Sequence, residues 1–210
     1  MASIEEKPIN IALVGLGGQG IITLSKLILS TVNMMGKKAC MNEIHGLSQR
    51  GGSVQTFLRL NVQDSPLFAS MDTNFVIGLE KLETLRYLYQ AKTAKPIVIL
   101  ADFYDIRNNS LLGLEVFPDE EEINTEIRKY AQKLYLFDVT KFYRLFKPKF
   151  KPLNVAMLSV VTKIPELDID RNLAKKNLLT YLGNDPILKQ INQLAFQVSG
   201  RWIKEEEIKN

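Results

Sequence analysis

Apolar positions in the first sixty residues fall into short runs separated by stretches of different period. Ile9-Asn10-Ile11-Ala12-Leu13-Val14 is a β-branched, apolar run of the length and character of a buried strand. It stops at Gly15-Leu16-Gly17-Gly18-Gln19-Gly20. Beyond that turn Ile21, Leu24, Ile28, Val32 and Met35 recur at intervals of three and four, which places them on one helix face. Gly36 is positioned to end the helix. Lys38 to Asn42 reads as a second strand, Glu43 to Gly52 as a polar loop, and Ser53 to Leu60 as a third strand. This strand–helix–strand order favours a mostly parallel sheet covered by helices.

Further strands are expected at Asn74–Gly78, Pro96–Leu100 and Leu134–Asp138, with a helix over Glu80–Gln90 between them. Asp119-Glu120-Glu121-Glu122 opens another helix, because negative charge in a first turn suits the helix dipole. From Pro152 to Gly200 helical signals are broken at Pro165, Gly183 and Pro186, which points to a C-terminal helical layer. No repeat, low-complexity linker or domain boundary is visible. The expected fold is α/β: a Rossmann-like, mostly parallel sheet with helices on both faces and a C-terminal helical layer, as one domain over residues 1–210.

At 210 residues and 46% hydrophobic positions the chain is long enough to bury a full core. Twenty-seven basic against twenty-three acidic side chains leave +4, a mild excess without the basic stripe of a nucleic-acid binder. No apolar run reaches membrane-spanning length, and Met1 to Lys7 lacks the order of a signal peptide. The expectation is a cytoplasmic protein with no nucleic-acid or membrane partner. The single cysteine, Cys40, excludes an internal disulfide. One thiolate also falls short of what an iron–sulfur cluster or a structural zinc requires, so any electron-transfer centre must sit on another chain.

Three features could carry chemistry. Gly15, Gly17 and Gly20 match G-x-G-x-x-G between a strand and a helix, where glycines let a backbone approach a pyrophosphate resting on helix N–H groups. The same glycines also serve close helix–strand packing or a contact with another subunit, and both readings stand. The acidic residue a dinucleotide site needs about twenty positions on could be Glu43. Secondly, the segment Glu43 to Gly52 gathers Glu43, His45, Ser48, Gln49 and Arg50 among Gly46, Gly51 and Gly52. Arg50 offers a planar fork to a carboxylate or phosphate, and His45 is a candidate proton shuttle. Alternatively, Glu43, His45 and Arg50 bond one another and hold the loop. Thirdly, Lys141, Arg144, Lys147, Lys149 and Lys151 interleave with Phe142, Tyr143, Phe146 and Phe150. Such a run can attract an acidic partner or a phosphorylated cosubstrate, but is more often a solvated face with its aromatics turned inward.

Gly15 to Ile21 and Glu43 to Val54 together resemble the gamma-type domain of 2-oxoacid:ferredoxin oxidoreductases. The Ser48-Gln49-Arg50-Gly51-Gly52 form is similar to the indolepyruvate branch, in which this domain is a separate beta subunit. The resemblance continues through Ser65-Pro66, Ile77-Gly78-Leu79-Glu80 with Glu83 and Arg86, Asn154-Val155-Ala156-Met157-Leu158, and Asn192, Ala195, Phe196 and Gly200. Ser159 departs from the family pattern, which usually has glycine there. The resemblance implies an accessory subunit of an enzyme that oxidatively decarboxylates aryl pyruvates to acyl-coenzyme A and passes electrons to ferredoxin. It implies a large alpha subunit carrying thiamine diphosphate and 4Fe–4S clusters, coenzyme A as cosubstrate, and no cofactor on this chain. The residues that would face the partner or its cofactor-bearing cleft are Gly15, Gly17, Gly18, Gln19, Gly20, Ser48, Gln49, Arg50, Gly51 and Gly52.

Two other readings differ in class. A nucleotide-binding module or an NAD(P)-dependent dehydrogenase would use the Gly-rich turn for a dinucleotide. An adenylating fold related to ubiquitin activation shares the Gly-x-Gly-Gly-x-Gly turn, but its four-cysteine zinc site cannot be built from one cysteine.

Overall fold

A computed structural model describes residues 7–45, 52–105, 118–146 and 152–208. The strands among them are β1 (Ile9–Leu16), β2 (Ala39–His45), β3 (Ser53–Leu60), β4 (Phe75–Gly78), β5 (Ile97–Ala101), β6 (Lys133–Phe137) and β7 (Ile203–Glu207). The helices are α1 (Ile21–Met34), α2 (Lys81–Gln90), α3 (Glu120–Tyr130), α4 (Val139–Tyr143), α5 (Leu153–Val161), α6 (Arg171–Tyr181) and α7 (Pro186–Ser199). The strands form one sheet in the order β2-β3-β1-β4-β5-β6-β7.

The centre of the sheet is parallel: β1 pairs with β4, β4 with β5 and β5 with β6 in that sense. Both wings are antiparallel, through β1–β3 and β2–β3 on one side and β6–β7 on the other. The β1–α1–β2 unit keeps the expected direction, since β2 runs with β1. The two are not neighbours, however, because β3 returns into the gap between them. Sequence order alone does not reveal such an insertion, because neither strand's pattern encodes which edge it pairs with. The second strand also runs to His45, so Glu43, Ile44 and His45, expected in a loop, belong to β2.

Burial follows position in the sheet. Residues 11–14 of β1 and all of β4 are buried on both faces, as expected of central parallel strands. In β3 the residues alternate, with Val54, Thr56, Leu58 and Leu60 buried. The face that carries these residues packs α1 with the C-terminal helices α5, α6 and α7, through Ile11, Leu13, Leu24, Ile28, Ile77, Met157, Leu178 and Phe196. The opposite face packs α2 and α3, through Ala12, Val14, Val76, Leu88, Val98, Ile123 and Ile127.

Helix starts obey local chemistry. Glu80 caps α2 by accepting from Glu83 N at 2.8 Å, and Asp170 caps α6 through Leu173 N at 2.7 Å. Asp119 and Glu122 form a capping box on α3. Asp185 caps α7, with Pro186 at its first turn, so Pro186 opens a helix rather than breaking one. The last strand, Ile203-Lys204-Glu205-Glu206-Glu207, has no strand signature. It is an edge strand carrying charge, as edges that resist further pairing do, and Lys133–Glu205 at 2.7 Å and Arg128–Glu206 at 3.1 Å tie it down.

The C-terminal helices meet at Arg171, whose guanidinium bonds Ser159 O and Ser159 Oγ at 3.0 Å, Thr162 Oγ1 at 2.9 Å and Phe196 O at 2.9 Å. It also lies 4.6 Å over the Phe196 ring. Among the described residues no helix is long and apolar enough to cross a membrane.

Candidate functional site

The Gly-rich turn sits where an open α/β sheet ordinarily binds ligand. Neighbouring strands β1 and β4 send their following helices, α1 and α2, to opposite faces, so the carboxyl ends of β1 and β4 flank a topological switch point. Residues 17–20 cross the top of that crevice, with Gly18 at φ 94° and Gly20 at φ 82°.

The crevice is filled from inside by Gln19. Its Oε1 accepts from Leu16 N at 2.8 Å, and its Nε2 donates to Leu79 O, just past β4, at 3.4 Å. One side-chain amide thus spans the two strand ends. A Cβ at Gly15 would stand 2.6 Å from Gln19 Oε1 and 3.1 Å from Leu79 Cβ, so Gly15 makes room for Gln19. Gly20 holds a left-handed N-cap of α1, and a Cβ there would lie 2.7 Å from Asn154 Nδ2 at the start of α5. The N–H of Gly17 donates to Gly52 O at 2.8 Å. At these positions the turn is used for packing and for holding its own chain.

That last bond joins the two Gly-rich motifs. Gly15 and Leu16 pair with Val54 and Ser53, so Gly52, the residue just ahead of β3, is held against the turn. Gly46, Ser48, Gln49, Arg50 and Gly51 lie outside the described residues. His45 ends β2, its backbone paired with Val54. Glu43 faces α1 and pairs with Lys26 at 3.3 Å, a different engagement from the ribose contact of a dinucleotide site.

A second polar cluster, not singled out for chemistry in the sequence, lies at the carboxyl ends of β4 and β5. Lys81 is buried between Asp102 and Glu120, the latter at 2.6 Å. They back a cavity of about 450 Å³ that Asp119, Glu121 and Arg128 also line. Beside it Glu80 is 1% exposed and accepts from Glu83 N and, at 3.3 Å, from Asp105 N. Burial raises its pKa to about 6, against the opposing pull of those N–H groups. Glu83, also buried, pairs with Arg86 at 2.5 Å. In sequence these charges pass for the solvated first turn of α2. Only the approach of β5 and α3 encloses them.

In the basic run Phe142 is fully buried, with ring centroids 5.5 Å from Phe137 and 4.7 Å from Phe146. Lys141 pairs with Asp138 at 3.0 Å, and burial pushes the Tyr143 pKa up to about 12. Here the inward-aromatic reading holds, while Lys147, Lys149, Phe150 and Lys151 lie outside the described residues. Among the described residues no group of three or more His, Cys, Asp and Glu side chains is placed to hold a metal. Burial raises the pKa of Cys40, the single cysteine, and an iron–sulfur cluster does not fit this chain.

Residues 10–199 match the model of the pyruvate ferredoxin/flavodoxin oxidoreductase family. The chain belongs to that family. Within it, indolepyruvate oxidoreductase subunit IorB of Pyrococcus horikoshii is 26% identical over 205 residues, 95% of this chain and 98% of that protein. The Archaeoglobus fulgidus IorB is 33% identical over 126 residues, 60% of this chain and 62% of its own length. The fold is that of the pyruvate oxidoreductase subunit PORC of Thermotoga maritima, with TM-score 0.70, 15% identity, and 96% of this chain and 100% of that one covered. It also matches 31% of a longer 2-oxoglutarate:ferredoxin oxidoreductase chain from Magnetococcus marinus, with TM-score 0.66, 17% identity and 94% of this chain covered. Family members are subunits of oxidoreductase complexes, so a partner subunit is implied, and nothing among the relatives favours the dinucleotide reading.

Proposed function

We propose that this chain, acting as one domain over residues 1–210, is the accessory subunit of an indolepyruvate or related aryl pyruvate:ferredoxin oxidoreductase. The observation that carries the reading is the end-to-end match with the Pyrococcus horikoshii IorB, 95% of one chain against 98% of the other. The geometry agrees with it, since Gln19 bridges the chain at the ends of β1 and β4 and the Gly-rich turn is engaged in packing. The enzyme converts a 2-oxoacid and coenzyme A to acyl-coenzyme A and carbon dioxide, and ferredoxin takes the electrons. Thiamine diphosphate and 4Fe–4S clusters belong to the large partner subunit, and the assembly works in the cytoplasm.

The contribution of this chain is positional. The Gly17–Gly52 bond ties Gly52 to the Gly-rich turn, and in this reading the turn, with Ser48, Gln49, Arg50, Gly51 and Gly52, serves the partner or its cofactor-bearing cleft. Arg50 there fixes an anionic group, and His45 is a weaker candidate for a catalytic part. The test is to co-express the chain with the large subunit under anaerobic conditions and to assay indolepyruvate-dependent reduction of a viologen dye. Activity is expected from the pair and not from either chain alone. A large subunit fully active without this chain refutes the reading. The Arg50 role fails if Arg50→Ala assembles and turns over substrate with unchanged kinetics.

A further inference from the structure

Helices α2 and α3 pack on the same face of the sheet and leave a groove of about 580 Å³ between them. Its floor is apolar: Leu85 and Ile123 are buried there, and the Tyr89 side chain beside them is 48% exposed. Its rim is acidic. Asp119, Glu121, Glu122 and Glu126 border it, and among the described residues no lysine or arginine does. Asp119 and Glu121 also border the 450 Å³ cavity on the other flank of α3, so the first turn of that helix is an acidic ridge between two hollows.

The cations of α2 and α3 are all engaged elsewhere: Lys81 with Asp102 and Glu120, Arg86 with Glu83, Arg128 with Glu206 and Lys129 with Glu126. Asp119, Glu121 and Glu122 thus hold three negative charges with no cation among the described residues to balance them. The helix dipole offsets only about half a charge at an N-terminus, so most of that charge remains. On a chain of net charge +4 this is a local reversal of sign.

We infer that the groove is the docking site for a basic, amphipathic segment of the larger oxidoreductase subunit. Its apolar side chains lie on Leu85, Tyr89 and Ile123, and its lysines or arginines meet the rim of α3. The inference rests on the subunit reading above. Charge chooses the occupant. Two copies of this chain related by a two-fold axis at the groove would set acidic rim against acidic rim. A second copy could reach it only head to tail, through its own basic run from Lys141 to Lys151, and contacts of that kind form rings or filaments rather than a closed pair. A small cation would leave the apolar floor uncovered. A segment with both apolar and basic side chains satisfies floor and rim together.

The test uses the chain and the large subunit purified from co-expression. Glu121→Lys with Thr125→Lys reverses the sign of the rim at two exposed positions outside the capping box, and the free variant is expected to keep the wild-type circular dichroism spectrum. Its affinity for the large subunit is expected to fall roughly 100-fold at about 0.1 M ionic strength, where the screening length is about 10 Å. The difference should shrink at about 1 M, where that length is about 3 Å. Gln63→Lys with Asp64→Lys makes the same change in net charge at exposed positions after β3, near the amino end of β1, and is expected to bind as wild type does. Carbodiimide coupling of the wild-type complex is expected to join Glu121 or Glu122 to a lysine of the large subunit. Wild-type affinity of the rim variant at about 0.1 M ionic strength overturns the inference and leaves the subunit reading intact. Coupling of Glu121 to a lysine of a second, isotopically labelled copy of this chain assigns the groove to that copy and overturns the inference as well. A wild-type chain that binds no large subunit removes the subunit reading, and the inference falls with it.

Discussion

Arg171 stabilises the fold by neutralising the carboxyl ends of two helices with one guanidinium. Ser159 O belongs to the last turn of α5 and Phe196 O to the last turn of α7, the places where orphaned carbonyls and the negative end of a helix dipole coincide. All the Arg171 acceptors are neutral oxygens at 2.9–3.0 Å, and burial pulls its pKa down. Replacing it with methionine keeps most of the volume and removes the charge. Two acceptors keep another donor: Ser159 O retains Thr162 Oγ1 at 2.8 Å and Phe196 O retains Ser159 Oγ at 2.6 Å. All four charge-assisted bonds go, but only two acceptors are left without a replacement donor; with two helix-end interactions lost and the cation's desolvation relieved, we put the net cost at about 3 kcal/mol. For a chain of this size that lowers the melting temperature by roughly 6–12 °C. Thermal and urea unfolding of Arg171→Met give the value, and Arg171→Lys, which keeps the charge without the fork, is expected to cost about half as much. Ser159 is part of the same arrangement: Ser159→Gly should cost more in the Arg171→Met background than alone, because Phe196 O then loses both of its side-chain donors. A cost below about 1 kcal/mol for Arg171→Met would refute the helix-end account.

Glu80 sets a pH dependence in the acid range. Its folded pKa of about 6 stands above the ordinary value of 4.5, so the native state prefers the protonated form. The stability it contributes is complete below pH 4.5 and is lost as pH rises through 6, about 2 kcal/mol in all. Glu80→Gln should remove that slope from urea midpoints measured between pH 4.5 and 7.5, and an unchanged slope would show that Glu80 is not its source. Gly20→Ala combines a left-handed φ of 82° with a Cβ 2.7 Å from Asn154 Nδ2. A loss of roughly 2–3 kcal/mol is expected, partly recovered by Asn154→Ala, and full stability in calorimetry would contradict the geometry. A thermal-shift series with nicotinamide and flavin nucleotides should leave the wild-type melting temperature unmoved, and a saturable upward shift would reopen the nucleotide reading.

The elements that could be read from the chain are those whose signals are local. Ser53–Leu60 is a strand over the range expected, because its alternation matches a sheet with one face under α1. The acidic start of α3 and Gly36 after α1 also act within one turn. What escaped reading depends on partners far along the chain. The insertion of β3 between β1 and β2 is a choice of edge. Strand β7 is written in charged residues because it is an edge. Glu43-Ile44-His45 looks like loop until β3 pairs with it. The buried charges around Lys81 are polar in sequence and enclosed only when β5 and α3 arrive.

The Gly-rich turn shows why a motif does not decide between ligand and packing. Its glycines are equally needed for a pyrophosphate and for a side chain of the protein itself; what separates the two is whether the crevice is already occupied. Gln19 occupies it through Leu79, sixty positions away, and this makes a prediction that a ligand site would not. Gly15→Ala brings a Cβ 2.6 Å from Gln19 Oε1, so its cost should depend on Gln19. Gln19→Ala alone leaves Leu16 N without its acceptor and is expected to cost about 1–3 kcal/mol. With that side chain gone, the nearest obstacle to the added methyl group is gone too, leaving Ile21 Cδ1 at 2.9 Å and Leu79 Cβ at 3.1 Å. The double variant should therefore be more stable than the sum of the single losses by about 1 kcal/mol, within the usual range for residues in contact. If the losses simply add, Gly15 is conforming to something other than Gln19, and the crevice would have to be reconsidered as a site for a ligand.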